Sequence, residues 1–170
     1  MRKLGAAAAL LALAAPFGGA CGGSTSLPEA PPCATPTATP STGARTPREN
    51  DFRYTRSVNE GATRLIRLTN DFRARWPDGK FSSRTEFREE FAVYASNMTC
   101  AAMSLRDLKS AVPRYAEWDT RFDGVMSDYV AVMEQGRESV RTRNVSDYRR
   151  FNKRLDEVNA TLSEALLALP

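Results

Sequence analysis

The sequence predicts an all-α fold, most simply an antiparallel up-down bundle of four helices. Apolar residues recur at spacings of three and four in four separate stretches, no stretch alternates with a period of two, and capping or proline-containing signals divide the stretches from one another. The alternative arrangement is a three-helix bundle whose first segment is frayed or used to dimerise.

Thr46-Pro47-Arg48-Glu49 opens the first stretch with a capping residue, a proline at the first helical position and a glutamate three beyond the cap. After it Tyr54, Val58, Leu65, Phe72 and Trp76 fall within about 40° of one direction at about 100° per residue. Trp76-Pro77-Asp78-Gly79 then reads as a turn. Ser83-Arg84-Thr85-Glu86 reads as a second capping box, followed by the seam Phe87, Phe91, Tyr94, Met98, Ala101, Leu105 and Leu108. The next stripe is Trp118, Phe122, Val125, Tyr129, Val132 and Gly136. Its direction is about 140° from that seam on a continuous helix, so a break and reversal belong at Ser110 to Pro113. Asn144 or Ser146 caps the last helix, whose stripe is Tyr148, Phe151, Leu155, Val158, Leu162, Leu166 and Leu169.

The stretch before these helices is different in kind. Met1-Arg2-Lys3 precedes an apolar run from Leu4 to Phe17, too short to span a hydrocarbon core of about 20 residues, and Gly18-Gly19-Ala20-Cys21 follows. This segment resembles the bacterial lipoprotein class, whose signal ends in a cysteine that becomes the first, lipid-bearing residue. Gly18 stands where that class usually carries an aliphatic residue, and ordinary cleavage after Ala20 is the alternative. The resemblance covers about the first 22 residues and implies lipid attachment at Cys21, of the palmitate type, and a place on the extracytoplasmic side of a bacterial envelope membrane. Residues 1–20 then form the signal peptide, 21–46 a lipid-anchored linker and 47–170 the bundle domain. The linker carries Pro28, Pro31, Pro32, Pro36 and Pro40 among Ser, Thr, Gly and Ala, a composition expected to remain disordered.

With Cys21 acylated, Cys33 and Cys100 remain of the three cysteines. Cys100 projects about 160° to 200° from the Phe87 to Leu108 seam, on the side of Glu89, Ser96 and Asp107, so a Cys33–Cys100 disulfide strapping the linker to the outside of the bundle is expected. The chain contains no histidine. That removes serine–histidine and cysteine–histidine nucleophile sites, histidine-ligated zinc and haem, and the Glu-x-x-His di-iron motif of bundles. No cofactor and no metal are expected.

Net charge is +4, from 24 basic and 20 acidic residues. Arg53, Arg56, Arg64 and Arg67 share the outward arc of the first helix and are the candidate contact with an anionic surface. A second basic concentration runs from Arg137 to Arg154. An envelope protein or an anionic polymer is the partner class this implies, with no nucleic-acid motif present. The expected function is a non-enzymatic, lipid-anchored interaction or structural module. The first rival is a ligand-binding bundle with a pocket near Asn152, Asn159 and Thr69. The second is a hydrolase working with carboxylates alone, at Glu86, Glu89 and Glu90.

Overall fold

The computed structural model describes Cys33 and residues 46–77 and 84–170. Four helices make up the fold: α1 (Pro47–Arg75), α2 (Thr85–Arg106), α3 (Ala116–Arg141) and α4 (Val145–Leu167), with a short 3₁₀ turn at Pro113–Tyr115 leading into α3. No strand occurs among the described residues. The fold is all-α, a bundle of helices around one core.

Local chemistry sets most boundaries. The Thr46 hydroxyl accepts from the Glu49 N–H while the Glu49 carboxylate accepts from the Thr46 N–H at 2.9 Å, a reciprocal cap. Asn144 caps α4 by accepting from the N–H groups of Ser146 and Asp147. The start of α2 corrects the expected capping box, because the helix begins at Thr85 behind Arg84, which makes no side-chain cap bond. Ser83 lies outside the described residues. The break before α3 falls slightly earlier than expected: α2 ends at Arg106, and Leu108 continues past the helix as a partly buried residue packed on the core.

The four stripes meet as one cluster. Tyr54, Val58, Leu65, Phe87, Phe91, Met98, Trp118, Phe122, Tyr129, Phe151, Leu155 and Leu162 are all buried. Phe72 and Trp76 are partly exposed but pack against it. The end of α1 meets the start of α2 through Trp76 and Phe87, with ring centroids 5.2 Å apart. The start of α1 meets the start of α3 through Tyr54 and Trp118, and the Trp118 indole N–H donates to the Ala165 carbonyl near the end of α4 at 2.8 Å. Helix α1 packs on α2 and touches α4 only sparsely, whereas α3 packs broadly on both α2 and α4.

Burial raises the pKa values of the core tyrosines. Tyr94 and Tyr148 are each pushed up to about 12, chiefly by loss of water. Tyr54 is raised further by burial and by its bond to Asp119, and Tyr129 by burial. Above the ordinary value of 10.0 the unfolded chain releases tyrosyl protons that the folded chain keeps. Stability is therefore expected to be insensitive to these groups below about pH 9 and to fall from pH 10 to 12, by up to about 1.4 kcal/mol per pH unit for each tyrosine. Urea midpoints at pH 8, 10 and 11 check this; an unchanged midpoint at pH 11 contradicts it.

Candidate anionic contact surface

On α1 the residues away from the core form a continuous arc. At about 100° per residue Arg53, Arg64 and Arg67 lie within about 60° of one another, and from Arg53 to Arg67 the helix rises about 21 Å. All four candidate arginines of this helix are exposed. Arg56 is tied to Glu60 at 2.7 Å, which raises its pKa through the hydrogen bond and the opposite charge. Arg53, Arg64 and Arg67 make no ion pair among the described residues. Beside the arc stand two exposed apolar residues, Phe52 at 64% and Ile66 at 41%. Phe52, Arg53 and Arg56 also line an open groove of about 900 Å³ whose other wall is Leu108 to Ala111, with Lys109 among them.

The second basic concentration is built differently. Arg141, Arg150 and Lys153 are each paired with a carboxylate within one turn, to Glu138, Asp147 and Glu157. Arg149 and Arg154 point about 140° apart around α4, so they do not share a face.

The groove end of the bundle is held by a polar cluster that the sequence patterns did not single out. Asp119, only 9% exposed, accepts from the Tyr54 hydroxyl and, at 3.1 Å, from the Ser110 N–H. Alongside it the Arg114 guanidinium bonds both oxygens of Asp51, and the Tyr115 hydroxyl bonds Asp51 too. The Tyr115 hydroxyl and the Arg114 cation hold the Asp51 carboxyl below the usual carboxylate value. These contacts fix the first turns of α1, and with them Phe52 and Arg53, against the connection into α3.

Cys33 and Cys100 are joined by a disulfide, with Cα atoms 5.2 Å apart. Cys21 lies outside the described residues. The three residues of the ligand-pocket rival are separated by their partners. Asn159 accepts the Tyr129 hydroxyl at 2.6 Å, which ties α4 to α3, and Thr69 is buried with its hydroxyl donating to the Leu65 carbonyl of its own helix and lying 3.9 Å from the Met98 sulfur of α2. Asn152 lines a cavity of about 230 Å³ between α1, α2 and α4 with Phe72, Arg73, Tyr94 and Tyr148, and neither Thr69 nor Asn159 lines it. Its volume is below the roughly 300 Å³ at which ordinary small-molecule pockets begin. The carboxylates of the hydrolase rival are engaged with α1: Arg75 reaches Glu86 at 2.7 Å, and the Trp76 indole N–H donates to Glu90. Glu89 is exposed. Among the described residues no cluster of three or more histidine, cysteine, aspartate or glutamate side chains is placed to hold a metal ion, and no helix is long and apolar enough to cross a membrane.

Comparison with family models, with curated proteins and with solved structures gives no match to this chain.

Proposed function

We propose that the chain is an exported, lipid-anchored, non-catalytic module of a bacterial envelope that rests the outer arc of α1 on an anionic surface. The observation that carries this reading is the set of three arginines, Arg53, Arg64 and Arg67, that make no ion pair among the described residues and share one exposed face beside Phe52. Cations held near a surface of anionic headgroups gain about 1 kcal/mol each, and an adjacent apolar side chain adds contact with the interface. Export is supported by the disulfide, since such bonds persist in oxidising compartments and are rare in a reducing cytosol. The leader and Cys21 supply the anchor, which keeps the arc within reach of headgroups. The absence of histidine from the sequence and the engagement of Glu86 and Glu90 by α1 support a module without catalysis.

The test uses residues 21–170 with Cys21→Ser, so that binding does not depend on acyl chains. This protein is expected to co-sediment with vesicles containing anionic lipid and to release as salt rises. The combined Arg53→Ala, Arg64→Ala, Arg67→Ala variant is expected to bind roughly a hundredfold more weakly, about 3 kcal/mol. Equal binding of parent and variant, or no preference for anionic over neutral vesicles, overturns the reading. In cells, Cys21→Ser is expected to move the protein from the membrane to the soluble exported fraction.

A further inference from the structure

We propose that the cavity between α1, α2 and α4 binds a small aromatic monocarboxylate, its ring lying toward Phe151 and Leu155 and its carboxylate on Arg73 and Asn152. The fold opens this space where two helices do not close on each other. Helix α1 packs on α2 and touches α4 only sparsely, and the cavity lies along that thin contact, with Arg73 and Trp76 on its α1 side, Tyr94 from α2 and Tyr148 to Leu155 from α4. None of Arg53, Arg64 and Arg67 lines it.

Polarity is graded across the cavity. Phe151 and Leu155, each 1% exposed, form its inner wall. The Arg73 side chain is 41% exposed, so the charge stands at the mouth, beside the partly exposed Phe72 and Trp76. Arg73 is also the one charged residue among those lining the cavity. Its partner Asp156 accepts from one terminal nitrogen at 2.6 Å and lies outside the lining, and that bond occupies one N–H of a guanidinium that carries several. Glu90 likewise lies outside the lining and accepts the Trp76 indole N–H. The remaining polar groups are suited to donate. Burial pushes the Tyr94 and Tyr148 hydroxyls up to about 12 although the Arg73 charge works against it, so both keep their protons at neutral pH. Asn152 is bonded to the Tyr148 hydroxyl one turn earlier on α4 and brings an amide to the same wall.

A cation with donors above an apolar floor defines the class of ligand. The rings of Phe72, Trp76 and Tyr148 would suit a quaternary ammonium, but the Arg73 charge repels one. A neutral hydrocarbon gains nothing from that charge. An aromatic carboxylate uses both halves of the cavity, with the guanidinium fork matched to its two oxygens. Size sets the rest. Benzene fills a protein cavity of about 150 Å³, so 230 Å³ leaves about 80 Å³, room for a carboxyl group and not for a second ring.

The chain has two tryptophans, Trp76 at the cavity and Trp118 in the core, so their indole N–H signals in an NMR titration report the site and the background separately. Sodium benzoate added to the oxidised full chain at pH 7 is expected to shift the Trp76 signal saturably, with a dissociation constant on the order of 1 mM, and to leave the Trp118 signal in place. Arg73→Gln is expected to weaken benzoate by about tenfold or more while benzyl alcohol, a neutral ligand of the same shape, changes by less than about twofold. Asp156→Asn releases Arg73 from its partner and is expected to tighten benzoate by about threefold. The combined Arg53→Ala, Arg64→Ala, Arg67→Ala variant is expected to bind benzoate as the parent does, so this site and the vesicle-binding arc fail or stand independently. No saturable Trp76 shift below about 20 mM benzoate, tetramethylammonium binding as tightly as benzoate, or equal benzoate affinity in the parent and Arg73→Gln overturns the proposal.

Discussion

Phe91→Ala is expected to lower the unfolding free energy by about 3–5 kcal/mol, enough to unfold a marginal domain. Phe91 is fully buried, and its ring lies 5.6 to 6.0 Å from those of Phe72, Phe87, Tyr94, Tyr148 and Phe151. It thereby joins α1, α2 and α4. Against α3 the same ring closes on a backbone: a Cβ added at Gly136 would come within 2.8 Å of the ring atoms of Phe91 and of Phe151. Truncation removes the transfer free energy of the ring and leaves a void that five neighbouring rings, each locked by the others, fill only in part. Urea unfolding followed by circular dichroism reads the loss as a lower midpoint with an unchanged slope. Phe91→Leu, which keeps most of the volume, is expected to cost less than half as much. Gly136→Ala is expected to be less harmful in the Phe91→Ala background than alone, because the void receives the added methyl. Equal stability of Phe91→Ala and the parent would mean that this aromatic cluster does not hold the helices together.

The cluster was readable because helical periodicity reports it directly. Phe87, Phe91 and Tyr94 stand on one seam, Tyr148 and Phe151 on another, and only packed helices bury all five. The caps at Thr46 and Asn144 were readable for a similar reason, since both act on backbone groups a few residues away. Arg84 was not readable as the cap of α2, because it supplies no capping bond and the preceding serine makes a more orthodox start. Asp119 escaped for another reason. It neighbours Trp118 in the first turn of α3, where an acidic residue is expected to favour the helix dipole from a solvated position. What buries it is the Tyr54 hydroxyl, 65 residues earlier in the chain, and the Ser110 N–H of the connection. Ser96 was expected on the outside with Glu89 and Asp107, whereas it is only 4% exposed. The arginine arc of α1 was readable from periodicity, but that Arg53, Arg64 and Arg67 have no carboxylate partner among the described residues was not. Arg56 and Glu60 are spaced for pairing and do pair, whereas Asp71, four beyond Arg67, is spaced for it and does not.

At the opposite end of the bundle from that ring cluster, Asp119→Ala is expected to cost about 2–4 kcal/mol. The carboxylate is buried, and its two oxygens take one donor each from α1 and from the connection between α2 and α3. Alanine leaves the Tyr54 hydroxyl and the Ser110 N–H without an acceptor in a site that water enters poorly, and each such orphan costs about 1–3 kcal/mol. Asp119→Asn keeps one acceptor but sets an NH₂ group toward the remaining donor, so an intermediate loss is expected. Tyr54→Phe removes the donor instead. In a double-mutant cycle Tyr54→Phe is expected to cost less once Asp119 is alanine, because the hydroxyl it deletes is already orphaned. The damage should also be local. With α1 touching α4 only sparsely, the Asp119 pair and the neighbouring Asp51, Arg114 and Tyr115 contacts are what hold the first turns of α1 on the bundle. Hydrogen exchange in Asp51 to Val58 is therefore expected to quicken before exchange in α3 does. The same loosening would carry Phe52 and Arg53 with it and weaken vesicle binding although neither residue is altered. Unchanged exchange in those turns, with a stability loss below about 1 kcal/mol, would show that the buried carboxylate is not what fixes α1 in place.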